Sequence, residues 1–352
     1  MYTITLEVNQ ICNLRCTYCY LGKKTNTVMS ESTAHEALKI AFLNVEKHRD
    51  RRLWVDFVGG EGLISFDFLR RLTNFINNEA LKRKIQISYS ITTNGSIMNA
   101  EIMKWIIENK IQIKLSIDGI EEIHDKNRRT ITGKGSYSRI IENISMFKEC
   151  EQKTKRWIQV AHVITQNNYY ATFQSIKHLY KDLGFTVIDS SIDLTSQWLK
   201  KQLDLLTAEW EKVLLYYIEM KKSERPFLWG VILDLLKYKG DYEKNNFCGA
   251  GLIRIYVKTN GKIYGCSANL GETGCIGDVE KGFFVSRIEE MKKAINNNGE
   301  CQNCEIFKEC QNRKCIMNRI AHDRKDMCYF EYKKLELWDK YEGKILTGEI
   351  LS

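Results

Sequence analysis

Cys12-Asn13-Leu14-Arg15-Cys16-Thr17-Tyr18-Cys19 follows directly on an alternating apolar and polar segment, Met1–Val8, and sets three thiols at C-x3-C-x2-C spacing. Three thiolates on a loop that leaves a short strand can hold three irons of a cubic iron–sulfur cluster, and the fourth iron then has no protein ligand. An iron with an open position can bind and reduce a small molecule, whereas a fully ligated cluster only carries electrons. The competing reading is structural zinc, which takes four ligands, usually from paired C-x2-C or H-x3-H elements. No histidine or fourth cysteine stands near the triplet, and the next cysteine is Cys150.

The rest of the chain reads as a cytoplasmic protein. Its 352 residues, 43% of them hydrophobic, suffice for one barrel-like domain plus a smaller one. The N-terminus reads as a first core strand, not as a basic-then-apolar signal segment. No apolar run approaches the ~20 residues that cross a bilayer. Twelve cysteines in a reducing compartment argue for metal rather than disulfides. The formal charge of +9 counts every cysteine as neutral; three cubane clusters with their thiolates would bring roughly five negative charges. No dense Lys/Arg run interleaved with aromatics appears, so neither nucleic acid nor membrane is an expected partner, and Lys153–Arg156 and Lys200-Lys201 read as solvated positions.

Strand and helix patterns alternate along the first 200 residues. Helices are predicted near Thr33–His48 (with Thr33 and Glu36 as a capping box), Phe68–Asn78, Ala100–Glu108, Tyr137–Cys150 and Phe173–Leu183. Strands are predicted at Leu53–Val58, Ile85–Ile91, Ile111–Leu115, Trp157–Val163 and Thr186–Ile192. With the N-terminal strand this makes six βα units, hence an α/β fold with a parallel sheet and right-handed crossovers. Polar motifs fall at strand ends: Cys12–Cys19 after the first, Gly59-Gly60-Glu61 after the second, Asn94 after the third, Ser116 and Asp118 after the fourth. The carboxyl ends of parallel strands form an active-site rim, so the motifs converge on one mouth.

The cysteine triplet, with Tyr18 just before its last thiol, resembles that of the radical S-adenosylmethionine (SAM) superfamily, and the later motifs match in order. The resemblance implies a partial (β/α)6 TIM-type barrel and a [4Fe-4S] cluster on Cys12, Cys16 and Cys19 whose open iron chelates SAM. Gly59-Gly60-Glu61 is similar to the superfamily's GGE element, which receives the SAM amino group; Gly62 replaces the usual proline. Asn94, Ser116 and Asp118 stand where relatives contact the methionine or ribose. His124-x3-Arg128 resembles a motif whose arginine pairs with the SAM carboxylate, and Val163 or Ile164 is placed as an adenine contact. Each has a plainer reading: Asn94-Gly95 is a good turn, and Ser116 could cap a helix.

Eight of the twelve cysteines lie between Cys248 and Cys328. Cys248 precedes, and Cys266 ends, a segment whose Thr259-Asn260-Gly261 turn predicts a β-hairpin. Cys301-x2-Cys304-x5-Cys310-x4-Cys315 and Cys328 follow. The order is similar to the SPASM domain of radical SAM peptide-modifying enzymes, with x4 where the family has x3. That resemblance implies two auxiliary [4Fe-4S] clusters: Cys301, Cys304, Cys310 and Cys328 on the outer one, Cys248, Cys266 and Cys315 on the inner one, with Cys275 as its available fourth ligand. A zinc ribbon is the plain alternative. Cys150, on an apolar helix face, reads as a small buried hydrophobe. The implied division is 1–200 radical SAM core, 201–245 helical linker, 246–335 SPASM domain (a β-hairpin plus short helices) and 336–352 C-terminal helix or tail.

Enzymes of this layout act mostly on peptides. The favoured reading is a ribosomal-peptide maturase that takes hydrogen from a precursor peptide and installs a thioether, carbon–carbon or related crosslink. The alternative is an anaerobic sulfatase-maturating enzyme making formylglycine, whose members place an acid directly after the hairpin cysteine; here that residue is Ser267. A non-catalytic electron carrier would need no strand-end motifs, and a nucleic-acid-modifying enzyme would carry a basic module. The expected partners are the precursor peptide and a flavodoxin- or ferredoxin-type reductant; because the chain starts almost at its first strand, leader binding is expected on the barrel face, on the connecting helices or on a separate leader-binding protein.

Overall fold

The computed structural model describes residues 1–225, 227–240, 248–296, 301, 303–307, 309–310 and 325–347. Cys315 lies outside the described residues. Chain order gives β1 Tyr2–Asn9, β2 Leu14–Cys16, α1 Glu31–Glu46, β3 Arg52–Gly59, α2 Phe66–Arg83, β4 Gln86–Thr93, α3 Ala100–Glu108, β5 Gln112–Ser116, α4 Glu121–Asn127 and β6 Arg128–Thr130. Then come α5 Tyr137–Thr154, β7 Gln159–Ile164, α6 Thr172–Lys177, β8 Val187–Ile192, α7 Lys200–Met220, β9 Leu228–Trp229 and α8 Gly230–Gly240. The last part holds β10 Arg254–Val257, β11 Lys262–Tyr264, β12 Cys275–Asp278, β13 Gly282–Phe283, α9 Val285–Asn296 and a C-terminal helix, Lys325–Thr347.

One sheet runs β13-β12-β11-β10-β1-β3-β4-β5-β7-β8-β9, parallel from β10 to β9. The six predicted strands are neighbours in chain order, each followed by its helix, as a partial (β/α)6 barrel requires. Alternation along the strands sorts the two faces. Tyr2, Ile4, Leu6 and Val8 of β1 are buried with Ala34, Leu38 and Phe42 of α1 in the main apolar core. Thr3 and Thr5 between them face a cavity of about 730 Å³ that also receives Trp54, Asp56, Ser90 and Lys114. Register makes a polar row there: Thr5 lies opposite Asp56, and Asp56 opposite Ser90. Ser90 Oγ donates to Asp56 Oδ1 at 2.6 Å and Trp54 Nε1 to Ser90 Oγ at 2.6 Å.

Two local expectations change. The α1 cap is Ser30, whose Oγ accepts from Thr33 N at 3.0 Å, so Thr33 sits inside the first turn and is not the cap. The predicted helix Phe173–Leu183 holds α-geometry only through α6 and then widens into a π-turn over His178–Asp182.

The cysteine-rich hairpin extends the barrel sheet. β10 pairs in parallel with β1, Thr3 opposite Arg254 through Leu6 opposite Val257, and β11 returns antiparallel after the predicted turn. Glu7, with no exposed surface, fastens the junction. Its carboxylate accepts from Tyr256 Oη at 2.8 Å, Thr259 Oγ1 at 3.2 Å and Gln10 Nε2 at 2.9 Å. The C-terminal helix packs on α7, with Phe330 edge-on to Trp210 at 4.9 Å and Trp198 N donating to Asp326 at 2.9 Å.

Replacing Glu7 by Ala strands buried donors on β10 and its turn, each worth about 1–3 kcal/mol when left unpaired. Glu7→Ala is expected to lower unfolding free energy by at least about 2 kcal/mol, read from urea denaturation. An unchanged midpoint would show that the hairpin is held elsewhere.

Candidate functional site

The cysteine loop is built by contacts that its own sequence does not contain. After β1 the chain turns into β2, which pairs antiparallel with β6 so that Cys16 lies opposite Arg128 and Leu14 opposite Thr130. Thr17 N donates to Asn127 O at 3.0 Å, and its hydroxyl to Asn127 Oδ1 at 3.1 Å. On the other side the end of β3 presses on the loop's stem: Gly60 N donates to Asn9 O at 2.9 Å and Glu61 N to Ile11 O at 2.7 Å. The close approach that Gly59 and Gly60 permit is therefore to the chain's own backbone. A Cβ on Gly60 would lie 2.2 Å from Ile11 O and one on Gly59 2.6 Å from Asn9 O. Gly62, in place of the family's proline, meets only ordinary contacts and opens a short 3-10 turn.

Cys12, Cys16 and Cys19 rim one cavity of about 510 Å³. Tyr18, Gly59, Gly60, Glu61, Asn94, Ser116, Arg128 and Val163 also line it. Asp118 does not; it stands behind the wall, fully buried. Its Oδ1 accepts from Arg128 Nη2 at 3.2 Å and from Val163 N at 3.1 Å, and its Oδ2 from Tyr18 Oη at 2.7 Å, with Arg128 Nε 3.0 Å away. Burial by itself would raise this carboxyl, but Arg128, His124 and His162 outweigh it and hold Asp118 below the ordinary range. Tyr18 also lies 5.2 Å from the Arg128 guanidinium, ring against cation.

Glu61 is equally occupied. One carboxylate oxygen accepts from Leu63 N at 3.1 Å and Thr93 Oγ1 at 2.9 Å, the other from Asn94 N at 2.7 Å. Burial pushes its carboxyl up in spite of these donors. Asn94 closes a turn, its Oδ1 accepting from Ser96 N at 3.0 Å, while its amide reaches Asn13 at 2.9 Å on the cysteine loop.

The three sulfurs are thiols free of disulfides. Burial pushes Cys16 up to about 11 and raises Cys12. Lys24 Nζ donates to Cys19 Sγ at 2.6 Å. Among the described residues no three Cys, His, Asp or Glu side chains close on a point as for a single ion. Soft donors spread round the end of a cavity suit a larger group, and a loop pinned on both sides keeps them in place, so the residues fit an iron–sulfur cluster.

Several lining residues were not anticipated: Tyr20, Lys24, Lys114, Asp193 and Thr195. Asp193 follows β8 directly, so the strand-end logic applied to the sixth strand would have found it. Lys24 and Tyr20 lie on a loop with no periodic signal.

Farther along, Cys248 and Cys266 line the 730 Å³ cavity, which shares Tyr20, Val58, Thr92, Lys114 and Ser267 with the cysteine cavity. Burial and the nearby Cys248 raise the Cys266 thiol. Cys275 lines neither cavity; it packs with Val58, Tyr256 and Tyr264, its sulfur 3.5 Å from Gly277 O. Cys301, Cys304 and Cys310 sit on consecutive turns, and Cys304 Sγ is 3.5 Å from Tyr332 Oη. Cys328 is one helical turn before Tyr332, on the same side of its helix. Cys150 is fully buried in the core.

The wall behind the cavity gives a pH dependence. His124 Nδ1 accepts from Asp118 N at 3.2 Å and its Nε2 meets Ser136 Oγ at 3.0 Å; His162 Nδ1 meets Ser190 Oγ at 3.1 Å. Burial lowers both imidazoles from 6.5 to about 4. Below pH 6.5 the unfolded chain takes up these protons while the native state does not until about pH 4. Native stability should therefore fall as pH drops across that window, by on the order of 3 kcal/mol per histidine. Asp118, held low, adds a loss of the same sign in more acid solution. Urea titrations at several pH values should show the slope, and His162→Gln should flatten it; a flat profile in the parent protein would mean the rings are charged when folded.

Comparison with known proteins follows this geometry. Residues 6–168 match the model described as the radical SAM superfamily. The chain is 26% identical over 331 residues to the cysteine-type anaerobic sulfatase-maturating enzyme of Clostridium novyi, covering 85% of this chain and 84% of that one. It is 20% identical over 322 residues to the radical SAM cyclopropyl synthase TigE of Paramaledivibacter caminithermalis, covering 87% and 66%. The fold superposes on native anSMEcpe with bound AdoMet and Cp18Cys peptide at a TM-score of 0.79, with 18% identity and 98% and 97% coverage. Residues 6–168 thus form a radical SAM domain, the domain of enzymes that pair S-adenosylmethionine with an iron–sulfur cluster.

Proposed function

We propose that this radical SAM enzyme acts on a precursor peptide and installs a crosslink or a related oxidation. The observation that carries the reading is a pair of adjoining cavities, one at each thiol set, with Ser267 on the wall of both. A residue directly after the hairpin cysteine does face the cavity. It is a hydroxyl that cannot take a proton near neutral pH, where sulfatase maturases place an acid. The competing reading, formylglycine formation, is favoured by similarity to a sulfatase-maturating enzyme along most of both chains.

Cys12, Cys16 and Cys19 would hold the cluster, with Tyr18, Gly59, Gly60, Glu61, Asn94, Ser116, Arg128 and Val163 around SAM. When bound, the pair supplies a 5′-deoxyadenosyl radical that takes a hydrogen atom from an unactivated C–H bond. Arg128, fixed by Asp118 and Tyr18, offers a positive charge for the SAM carboxylate. Asp118 serves as the anchor of that arginine, in place of the ribose contact that the resemblance implies. Glu61 keeps β3, β4 and the cysteine loop in one arrangement, and its remaining lone pairs would be offered to the SAM amino group. The inward row Thr5, Asp56, Ser90 and Lys114 gives a peptide a polar floor. Cys248 and Cys266, with Cys315 outside the described residues, are assigned to an inner auxiliary cluster; Cys301, Cys304, Cys310 and Cys328 to an outer one. Cys275 is withheld from the inner set, because its sulfur is turned into the Tyr256–Tyr264 cluster. An external reductant of flavodoxin or ferredoxin type is part of the same proposal. No described helix is long and apolar enough to cross a membrane.

Anaerobic reconstitution should load about twelve irons per chain, and saturation near four would remove the auxiliary assignment. Cys16→Ala should abolish 5′-deoxyadenosine formation, whereas Cys304→Ala should spare it and stop turnover of substrate. Co-expression with a short cysteine-rich reading frame beside the gene, followed by mass spectrometry, tests the reaction. Loss of two hydrogens per event with sulfur retained supports crosslinking; loss of sulfur with an aldehyde formed supports formylglycine instead.

A further inference from the structure

Away from both thiol sets, α6 with its π-turn, α7 and the C-terminal helix enclose a groove of about 770 Å³. Its floor is apolar: Phe173, Tyr180, Leu215, Tyr216 and Met220. Leu215 is 47% exposed. Its rim is basic: Lys177, Lys181, Lys212, Arg225 and Lys344 stand against a single acid, Glu219.

Among the described residues, Lys212 is the one of these cations held in an ion pair, with Glu209 at 2.6 Å. Lys177 lies 5.8 Å from the Phe173 ring and Lys344 5.8 Å from the Tyr341 ring, contacts that leave their ammonium groups a charge to offer. The Arg225 guanidinium lies 4.5 Å from the Tyr180 ring, and its buried Nε has no hydrogen-bond partner. Lys177 and Lys181 are four residues apart, on one side of the same turn.

Resting on the reading that the substrate is a peptide, we infer that this groove docks an acidic, amphipathic segment of that peptide, outside the residues to be modified. Apolar side chains on one face fill the aromatic floor, and carboxylates on the other meet the basic rim. The groove is concave and apolar at its base, which fits an inserted helix or strand better than a phosphate backbone. An electron donor must reach the cysteine cavity, and no residue lines both that cavity and this groove.

The test uses the full chain and fluorescence anisotropy. The probe is a labelled amphipathic helix of about 16 residues, leucine on one face and glutamate on the other, beside a twin with lysine for glutamate. The acidic probe is expected to bind about tenfold or more tightly than the basic twin, and to weaken as salt rises. K177E/K181E should cost about tenfold in that affinity, K181A about threefold, and K153E/K155E at the C-terminal end of α5 nothing. Thermal melting of each variant checks folding, with K181A as the mild change should the double reversal unfold. Equal binding of the two probes, or full affinity in a folded K177E/K181E, overturns the inference. So does a variant that binds the probe normally but slows cluster reduction by flavodoxin, since the surface would then belong to the electron donor. Formation of 5′-deoxyadenosine and the mass change of the peptide report on the proposed reaction, so failure of either reading is seen separately.

Discussion

The buried pair of Asp118 and Arg128 holds the site together. Taking both charges out of water is expensive, and their attraction offsets that cost only because further donors complete the carboxylate: Tyr18 Oη and Val163 N. What the pair contributes is place. Arg128 begins the short strand whose partner is the cysteine strand, with Arg128 opposite Cys16. Tyr18, two residues on, is fastened to the same carboxylate. Two of the loop's positions are thus referenced to one buried charge at the end of β5, and Val163 at the end of β7 is referenced to it as well. Removing either partner would leave a lone charge inside the wall.

A second constraint acts from the opposite side. Gly59 and Gly60 let the end of β3 touch Asn9 and Ile11, where any side chain would overlap backbone oxygen. Glu61 then reaches across to Thr93 and Asn94. Three strand ends and the cysteine loop are joined by hydrogen bonds that leave no freedom to slide. Such rigidity suits a site that must keep a reactive radical from water, because positions fixed before binding need no rearrangement afterwards.

The βα alternation was legible because each unit carries its own period: α3 was located to the residue, and the six strands to within a residue or two. The convergence of motifs at strand ends followed from that alone. What could not be read were pairings between segments without periodicity. The strands Leu14–Cys16 and Arg128–Thr130 have three residues each, too few to show alternation, and they meet only because the chain between them folds as it does. For the same reason the sequence places Asp118 only among contacts to the methionine or ribose: nothing local says that its partner is an arginine ten residues away. Asn94 shows the converse. Its turn chemistry and its place on the cavity wall are both realised, so the two readings were never exclusive. The start of α1 was misplaced by preferring Thr33 over Ser30, two residues that offer the same hydroxyl.

The hairpin joint brings these arguments to the question of distance. An electron or a hydrogen atom moves between two centres only if the protein keeps them a fixed way apart. Here the thiols of the first loop leave β1, and Cys248 and Cys266 flank the hairpin whose first strand pairs with that same β1. Glu7, two residues before the end of β1, binds the hairpin's tyrosine and its turn. The two thiol sets are therefore carried from adjacent strands of a single sheet and line two adjoining cavities. On the proposed function, a peptide reaching across both would meet one set on each side. The wall residues common to both halves, Tyr20, Lys114 and Ser267 among them, are then the side chains positioned to discriminate among substrates.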